Sequence, residues 1–272
     1  FAFDHRKQLA DLALESGREE TCIPQLKLLL LAAAEAAADE AGLDGRSGIL
    51  ADGTYGQRSL NAITGKGWWI GRPIEMPGSR PLRLEHGNIG SQLIDWPLEQ
   101  VVKCLVFYHP ADPAELRAEQ DALLLEVWQA CNKSGHELLL EIILPENGPD
   151  KDERHYHDML AHVYQLGIQP DWWKLPPLSS AEWERIGKLI TREDSWCRGI
   201  LILGLDAPAD RLRAGFAAAA KHPLIKGFAV GRTIFSQPSR RWMQGELSDE
   251  ALINEVKRNY LTLIGYWREA RR

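Results

Sequence analysis

The sequence lacks the features by which several protein classes are recognised. Its four cysteines, Cys22, Cys104, Cys131 and Cys197, are widely spaced and include no Cys-x-x-Cys pair. This spacing provides neither a zinc site nor a disulfide framework, so we interpret all four as free thiols of a reducing compartment. We therefore expect a cytoplasmic protein.

The chain also lacks an excess of positive charge and a long apolar run. Its 38 acidic residues outnumber its 32 Lys and Arg residues, which gives a formal net charge of -6. The longest apolar run starts at Leu26 and is interrupted by Glu35 and Asp39, well short of the roughly 20 residues that a membrane span needs. We expect no nucleic-acid partner and no membrane partner.

Glycine-rich phosphate loops are absent too, since neither G-x-G-x-x-G nor G-x-x-x-x-G-K-[ST] occurs. A doubly wound nucleotide-binding sheet should carry such a loop after its first strand. What the chain does have is eight short apolar runs that alternate with helical patterns, which is typical of a (β/α)8 barrel. The predicted strands are 1–3, 48–51, 68–70, 101–108, 137–144, 172–175, 199–203 and 227–230.

The helical patterns have recognisable ends. An Ala- and Leu-rich helix stops at Gly42, and another is predicted to start with Asp112 as N-cap and Pro113 at its first position. A third begins at Ser180, and a long amphipathic helix ends the chain. The sequence thus predicts one α/β domain over 1–272, a single (β/α)8 barrel with a long C-terminal helix. Because it opens inside a strand, we expect it to be the C-terminal part of a longer natural chain.

A lysine within the apolar stretch "DWWKLPPL" is the first candidate for chemistry. Period-two alternation places Lys174, Lys103 and Glu141 on the inward faces of three predicted strands. Burying these charged groups only to fill space would be unfavourable, because the free energy of desolvating a buried ion pair often exceeds the attraction between its charges. The alternative is structural: Lys174 could reach solvent or a salt bridge, and Lys103 and Glu141 could neutralise each other.

Schiff-base catalysis is the chemistry that suits this group. A lysine becomes nucleophilic when an apolar pocket and a neighbouring cation depress its pKa. We expect Trp172, Trp173 and the following prolines to supply the pocket for Lys174, and Lys103 the cation. Glu141 would then move protons on and off the reacting groups.

Further polar residues fall at predicted strand ends, where (β/α)8 barrels carry their active sites. Asp4 ends the first strand and is a candidate catalytic residue, and we expect substrate contacts from His5, Arg6, Asp52 and His109.

A phosphate site is expected after the last two strands. Arg232 offers a bidentate guanidinium, and the adjacent Gly231 and the earlier Gly204 let backbone N–H groups approach an anion. The alternative is an ordinary strand-to-helix turn with a surface arginine. On the long loop 71–92, Arg83 could bind a carboxylate or could have no role.

The histidines of "HYHDMLAH" do not have metal-site spacing. His155 and His162 lie two helical turns apart, whereas helical metal ligands usually stand at i and i+4. We interpret this segment, with His157, as a solvated helix face and expect no metal site and no cofactor.

Six motifs, in chain order, carry a family resemblance: "AFDHR", "ILADGTYG", "VVKCLVFYHP", "LLLEIILP", "DWWKLPP" and "GFAVGRTIF". The chain resembles class I aldolases of the tagatose-bisphosphate aldolase type. It is more similar still to the 5-dehydro-2-deoxyphosphogluconate aldolase domain fused to a sugar kinase in bacterial inositol catabolism. This domain also has runs like "PGSRPLRLE" and "FAVGRTIFSQP".

The resemblance implies a role for five residues. Lys174 matches the Schiff-base lysine, Glu141 the acid/base glutamate, Lys103 the second active-site lysine, Arg232 the phosphate-binding arginine and Asp4 the aspartate that ends the first strand. The chain departs from the tagatose enzymes at "DHR" in place of Asp-Gln-Arg and at "KLPPL" in place of a "KVEVP"-like run. An added positive charge beside the aspartate suits a substrate that bears a carboxylate.

The expected function is cleavage of 2-deoxy-5-keto-D-gluconate 6-phosphate to dihydroxyacetone phosphate and malonate semialdehyde. Arg6, His5 or Arg83 would hold the carboxylate. Two alternatives stay open: an aldolase for another ketose phosphate such as tagatose 1,6-bisphosphate, and a non-catalytic sugar-phosphate-binding module that regulates a fused kinase. The expected partners are the sugar phosphate, a fused or separate sugar kinase and, as an open alternative, further copies of the chain.

Overall fold

The fold is of the predicted α/β class. The computed structural model describes all residues 1–272. Its seven parallel strands form one sheet in chain order, and helices follow the strands, which is the arrangement of a (β/α)8 barrel. The strands are β1 Gly48–Leu50, β2 Trp69–Pro73, β3 Gln100–Phe107, β4 Leu138–Ile143, β5 Trp172–Leu175, β6 Gly199–Leu203 and β7 Ile225–Ala229.

Ten α-helices and one 3-10 turn, Glu20–Cys22, accompany the strands. The helices are α1 Lys7–Glu15, α2 Ile23–Glu40, α3 Gln57–Ile63, α4 Ile89–Leu93, α5 Ala114–Ser134, α6 Arg154–Gln165, α7 Ser180–Glu193, α8 Ala209–Ala219, α9 Arg232–Met243 and α10 Asp249–Ala270. The predicted long C-terminal helix is therefore present as α10.

The predicted first strand is a short bridge. The Ala2 N–H donates to the Val230 carbonyl and the Phe3 N–H to the Leu50 carbonyl, each at 2.9 Å. The segment thus lies between β1 and the residue that follows β7, which is the position of an eighth strand. The predicted last strand, 227–230, begins two residues earlier than expected, at Ile225.

One helix start differs from expectation and another agrees with it. Pro113, not Asp112, is the N-cap residue of α5, and the Asp112 carboxylate accepts the His109 backbone N–H at 2.9 Å. α7 begins at Ser180 as predicted, and its N-cap is Ser179, whose hydroxyl accepts the Glu182 N–H. Short polar side chains bond to the nearest turn, so neighbouring candidates compete for such caps.

The molecule divides into two compact units. Unit 1 comprises Phe1–Pro73, Gly204–Phe216 and Phe228–Arg272, and unit 2 comprises Ile74–Leu203 and Ala217–Gly227. In unit 1, α2 packs on α10. The segment Glu20–Glu40, which includes α2, has a length and a mean hydropathy, 1.3, that would allow a membrane span. Most of its apolar residues are buried in the protein, as in a core helix.

Unit 2 contains the four strands β3 to β6, paired in parallel. Their alternation separates two faces. One carries Lys103, Glu141 and Lys174, and the other is largely apolar, with Cys104, Leu140 and Trp173 buried. The predicted lysine–glutamate group is therefore held by the central strands of this unit.

Candidate active site

The three residues predicted to meet on adjacent strands do so. Glu141 is in register with Leu105 of β3 and with Lys174 of β5. Its carboxylate contacts both lysines, since Oε1 lies 2.9 Å from Lys174 Nζ and Oε2 lies 3.1 Å from Lys103 Nζ. All three side chains are buried. One carboxylate therefore joins two ammonium groups away from bulk water.

The cluster has a fourth member, Glu75, which was not predicted from the sequence. It lies just beyond β2, and its Oε1 is 2.9 Å from Lys103 Nζ while its Oε2 accepts the Leu105 N–H. Two carboxylates thus balance two ammonium groups, which lowers the cost of burying the cluster. The signal was available, because Glu75 stands between Ile74 and Met76 much as Glu141 stands among aliphatic residues.

Lys174 differs from Lys103 in its contacts. Lys103 Nζ reaches two carboxylates, whereas Lys174 Nζ contacts Glu141 alone. An ammonium group has three N–H donors, so Lys174 retains capacity for a ligand. Glu141, at 2.9 Å, is within reach of the proton that this amine must lose before it attacks a carbonyl.

The expected origin of the apolar pocket is wrong in one respect. Trp173 faces the side of β5 opposite to Lys174, where its Nε1–H donates to the Tyr164 hydroxyl at 2.9 Å. Trp172 shares the Lys174 face, and its Nε1–H donates to Glu137 at 2.7 Å. Adjacent strand residues point to opposite faces, so at most one of the two tryptophans can lie beside the lysine.

The three histidines of α6 do not contact one another, and each pairs with a different carboxylate. His157 contacts Asp158, and His162 contacts Asp121 at 2.8 Å. His155 instead meets Asp150 and His109, which lies just past the end of β3. Arg83 also belongs to unit 2 and is exposed on the loop between β2 and β3.

Unit 1 contains a buried ion pair of its own, between Lys27 of α2 and Asp52. Asp52 also accepts the Tyr55 N–H at 2.7 Å. Both carboxylate oxygens of Asp52 thus have a structural partner within the protein, and its predicted substrate contact stays a prediction. Lys27 is a single lysine within a run of Ala and Leu, and its buried ion pair was not predicted from the sequence.

Three residues that follow the first bridge also lie in unit 1. Asp4 is buried, and its negative charge acts on Lys27. His5 packs edge-on against Phe235, with ring centroids 5.4 Å apart. Arg6 is buried at the start of α1. The predicted catalytic role of Asp4 and the predicted substrate contacts of His5 and Arg6 stay predictions.

The predicted phosphate group lies at the start of α9, also in unit 1. A Cβ at Gly231 would stand 2.2 Å from the Ala2 carbonyl oxygen, so only glycine fits there. Arg232 is the first residue of α9, and its Nη1 lies 3.3 Å from Asp206, close after Gly204. A helix N-terminus with an arginine suits an anion, whereas the Asp206 charge opposes one.

The sequence matches, over residues 1–271, the family described as "Uncharacterized protein conserved in bacteria (DUF2090)". The chain belongs to this family. A comparison with curated proteins finds no match for this DUF2090 chain.

Solved structures share its fold. The Cgl0159 protein of Corynebacterium glutamicum superposes with a TM-score of 0.61 at 18% identity, covering 95% of this chain and 83% of that one. An archaeal fructose 1,6-bisphosphate aldolase gives a TM-score of 0.51 at 12% identity, covering 85% and 82%. A second archaeal structure, with its catalytic lysine bound to a carbinolamine intermediate, gives 0.50 at 11% identity, covering 84% and 81%. The DUF2090 chain therefore has an aldolase-like barrel fold.

Proposed function

We propose that this protein is a class I aldolase in which Lys174 forms a Schiff base with a ketone. The observation that carries the proposal is the contact between Lys174 Nζ and Glu141 Oε1, 2.9 Å apart and buried on adjacent strands. The aldolase-like fold supports it, since one of the archaeal aldolases with that fold has its catalytic lysine bound to a carbinolamine intermediate.

The proposed substrate is 2-deoxy-5-keto-D-gluconate 6-phosphate. Lys174 attacks the C5 ketone, and loss of water gives an iminium ion. Glu141 takes the proton of the C3 hydroxyl, the C3–C4 bond breaks, and its electron pair moves into the iminium to form an enamine. Malonate semialdehyde leaves. Protonation at C4 and hydrolysis then release dihydroxyacetone phosphate and restore the amine.

Lys103 and Glu75 have a positioning role in this scheme. Lys103 Nζ lies between Glu141 and Glu75, at 3.1 and 2.9 Å. It holds the Glu141 carboxylate on the side of Lys174, and Glu75 neutralises the added cation. We also propose that Arg232 and the backbone at Gly231 and Gly204 bind the phosphate group, as the family resemblance implies.

Borohydride trapping with dihydroxyacetone phosphate tests the proposal. Reduction should leave a stable adduct that intact mass detects and that peptide mapping assigns to Lys174. The matched control is Lys188→Met on α7, an exposed lysine paired with Glu184, which should leave the adduct unchanged. If no adduct forms while the phosphate ligand still binds, the chain is a sugar-phosphate-binding module instead of an aldolase.

Product assays then separate the aldolase alternatives. Release of malonate semialdehyde from 2-deoxy-5-keto-gluconate 6-phosphate supports the proposed substrate, and preferential cleavage of tagatose 1,6-bisphosphate contradicts it. EDTA should leave the rate unchanged, because the iminium acts as the electron sink. Strong inhibition by chelators would favour a metal-dependent mechanism.

A further inference from the structure

Two imidazoles and a carboxylate meet just past the end of β3. His109 follows β3 by two residues, and Asp150 and His155 come from the segment after β4 and from α6. His155 Nε2 lies 2.6 Å from Asp150 Oδ1, and His109 Nε2 lies 3.9 Å from the same oxygen. The two rings pack edge-on, with centroids 4.6 Å apart.

Hydrogen bonds determine which nitrogens carry protons. The Ala111 N–H donates to His109 Nδ1 at 3.0 Å, so the neutral ring carries its proton on Nε2. The Asp152 N–H and then the His155 ring hold the pKa of Asp150 below its usual range. Asp150 is therefore an ionised acceptor and His155 Nε2 a donor. Both histidines present N–H groups toward one carboxylate oxygen.

These protons argue against a metal ion. The three candidate ligand atoms lie within 4.8 Å of one another, which is close enough for one. A metal would need a lone pair on each Nε2, and metal-bound histidines almost always donate a hydrogen bond from their other nitrogen. His109 accepts a hydrogen bond there instead. Two convergent N–H donors suit an anionic oxygen.

The His109 donor has no acceptor within hydrogen-bonding distance. His109 is 1% exposed, and its Nε2 has no hydrogen-bond partner. Leaving a buried donor unsatisfied is costly. The exposed Asp150 carboxylate, at 3.9 Å, is too distant to satisfy it. A ligand oxygen that approached closer would complete the site.

The surrounding residues hold this donor in place. The Asp112 carboxylate accepts the His109 backbone N–H at 2.9 Å and pairs with the Arg80 guanidinium. The long loop 71–92 therefore positions His109 through Arg80. This fixed geometry lowers the ordering cost of binding.

The cluster lies beyond the C-terminal end of β3, whose neighbour β4 carries Glu141. Tyr156 is the neighbour of His155, and its hydroxyl accepts the Leu144 N–H. Burial mainly, and the charge of Glu141 in addition, raise the pKa of Tyr156 to about 12. His109 and His155, which packs on it, thus stand beyond the C-terminal end of the strand that carries Lys103.

We propose that His109 and His155 bind the carboxylate of the aldehyde half of the substrate. The Asp150 carboxylate occupies part of this site as an internal substitute, and the substrate carboxylate displaces it. This inference rests on the proposed function, whose aldehyde product bears a carboxylate. It assigns to these two histidines the role predicted for Arg6, His5 or Arg83.

Calorimetric titration with malonate tests the site without catalysis. His155→Gln and His109→Gln should each weaken malonate binding about 10- to 100-fold, because each removes a hydrogen bond to a charged group. Asp150→Asn should tighten it about fivefold, since a competing negative charge is lost. His157→Gln, on the same helix but outside the cluster, is the matched control and should change nothing.

Several outcomes would overturn the inference. Weaker malonate binding by Asp150→Asn would do so, as would equally strong binding of the neutral malonamide. Stoichiometric Zn²⁺ binding that His155→Gln abolishes would show a metal site instead. Malonate binding that is lost in Lys174→Met but kept in His155→Gln would place the malonate at Lys174. Borohydride trapping tests the aldolase proposal independently of malonate binding. Malonate binding at the histidines without a Lys174 adduct would end the proposed aldolase function and leave a carboxylate site.

Discussion

Each unit of the molecule buries a lysine beside a carboxylate, but the two lysines are bonded differently. Lys27 in unit 1 donates to the carbonyl oxygens of Phe3 and His5, at 2.8 and 3.0 Å, and to Asp52. Its three N–H donors are all used within the protein. Lys174 in unit 2 contacts Glu141 only.

This difference separates a structural lysine from a candidate nucleophile. Burial lowers the pKa of Lys27, and the charge of Asp52 opposes that shift. Burial alone therefore does not identify a reactive amine, since the more deeply buried lysine, at 0% exposed against 6%, is the saturated one. The distinguishing property of Lys174 is its unused hydrogen-bonding capacity next to a proton acceptor.

The largest expected effect is that of Lys174→Met. It should abolish both turnover and the borohydride adduct, because no other group replaces the nucleophile. The fold should persist, since Glu141 keeps its contact with Lys103 at 3.1 Å. Mass spectrometry after trapping, together with circular dichroism, measures both effects. A normal rate in this variant would end the aldolase proposal.

Glu141→Gln should have the next largest effect. An amide cannot accept the C3 hydroxyl proton, so cleavage should slow by about 10²- to 10⁴-fold. Steady-state kinetics measures the loss, and trapping should still detect the Lys174 adduct. Glu75→Gln is the matched variant, since it alters the same cluster without touching Lys174. A rate near wild type in Glu141→Gln would remove Glu141 from the acid/base role.

Lys27→Met should affect stability instead of chemistry. It leaves Asp52 buried without its cation, which should lower the free energy of unfolding by about 3–5 kcal/mol. Urea denaturation measures the change. Lys66→Met is the control, because Lys66 forms an exposed pair with Glu35 and exposed pairs contribute about 0–1 kcal/mol. Equal losses in the two variants would contradict the structural role of Lys27.

Tyr164→Phe should have the smallest effect. It leaves the buried Trp173 Nε1–H without its acceptor, which should cost about 1–3 kcal/mol of stability. Because Trp173 faces away from Lys174, turnover per folded molecule should not change. Thermal unfolding and kinetics together test this. A large drop in turnover with intact stability would show that the far face of β5 affects the reacting amine.

The sequence was informative where strands have strong periodicity. The bounds predicted for β5 and β6 agree with the structure, and the alternation along β3, β4 and β5 correctly placed Lys103, Glu141 and Lys174 on one face. The first strand was harder, because three residues hydrogen-bond as a bridge without forming a ladder. The start of α5 was also harder, because the Asp112 side chain accepts the His109 N–H instead of capping the helix.

Partners that come from distant parts of the chain were not predictable. Glu75 and Lys103 are 28 residues apart, and Lys27 and Asp52 are 25 apart. Nothing local to either sequence position reports such a pairing. The same holds for His109 and His155, which the sequence assigned to a strand end and to a solvated helix face.

By itself the sequence determined the fold class and the face on which three charged residues lie, because strand periodicity is a local property of the chain. Only the tertiary structure decided which lysine is saturated and which is not. It also decided which nitrogens of His109 and His155 carry protons, and that two histidines converge on one carboxylate. Hydrogen bonds between distant segments control these properties, and such bonds exist only once the strands and loops have packed.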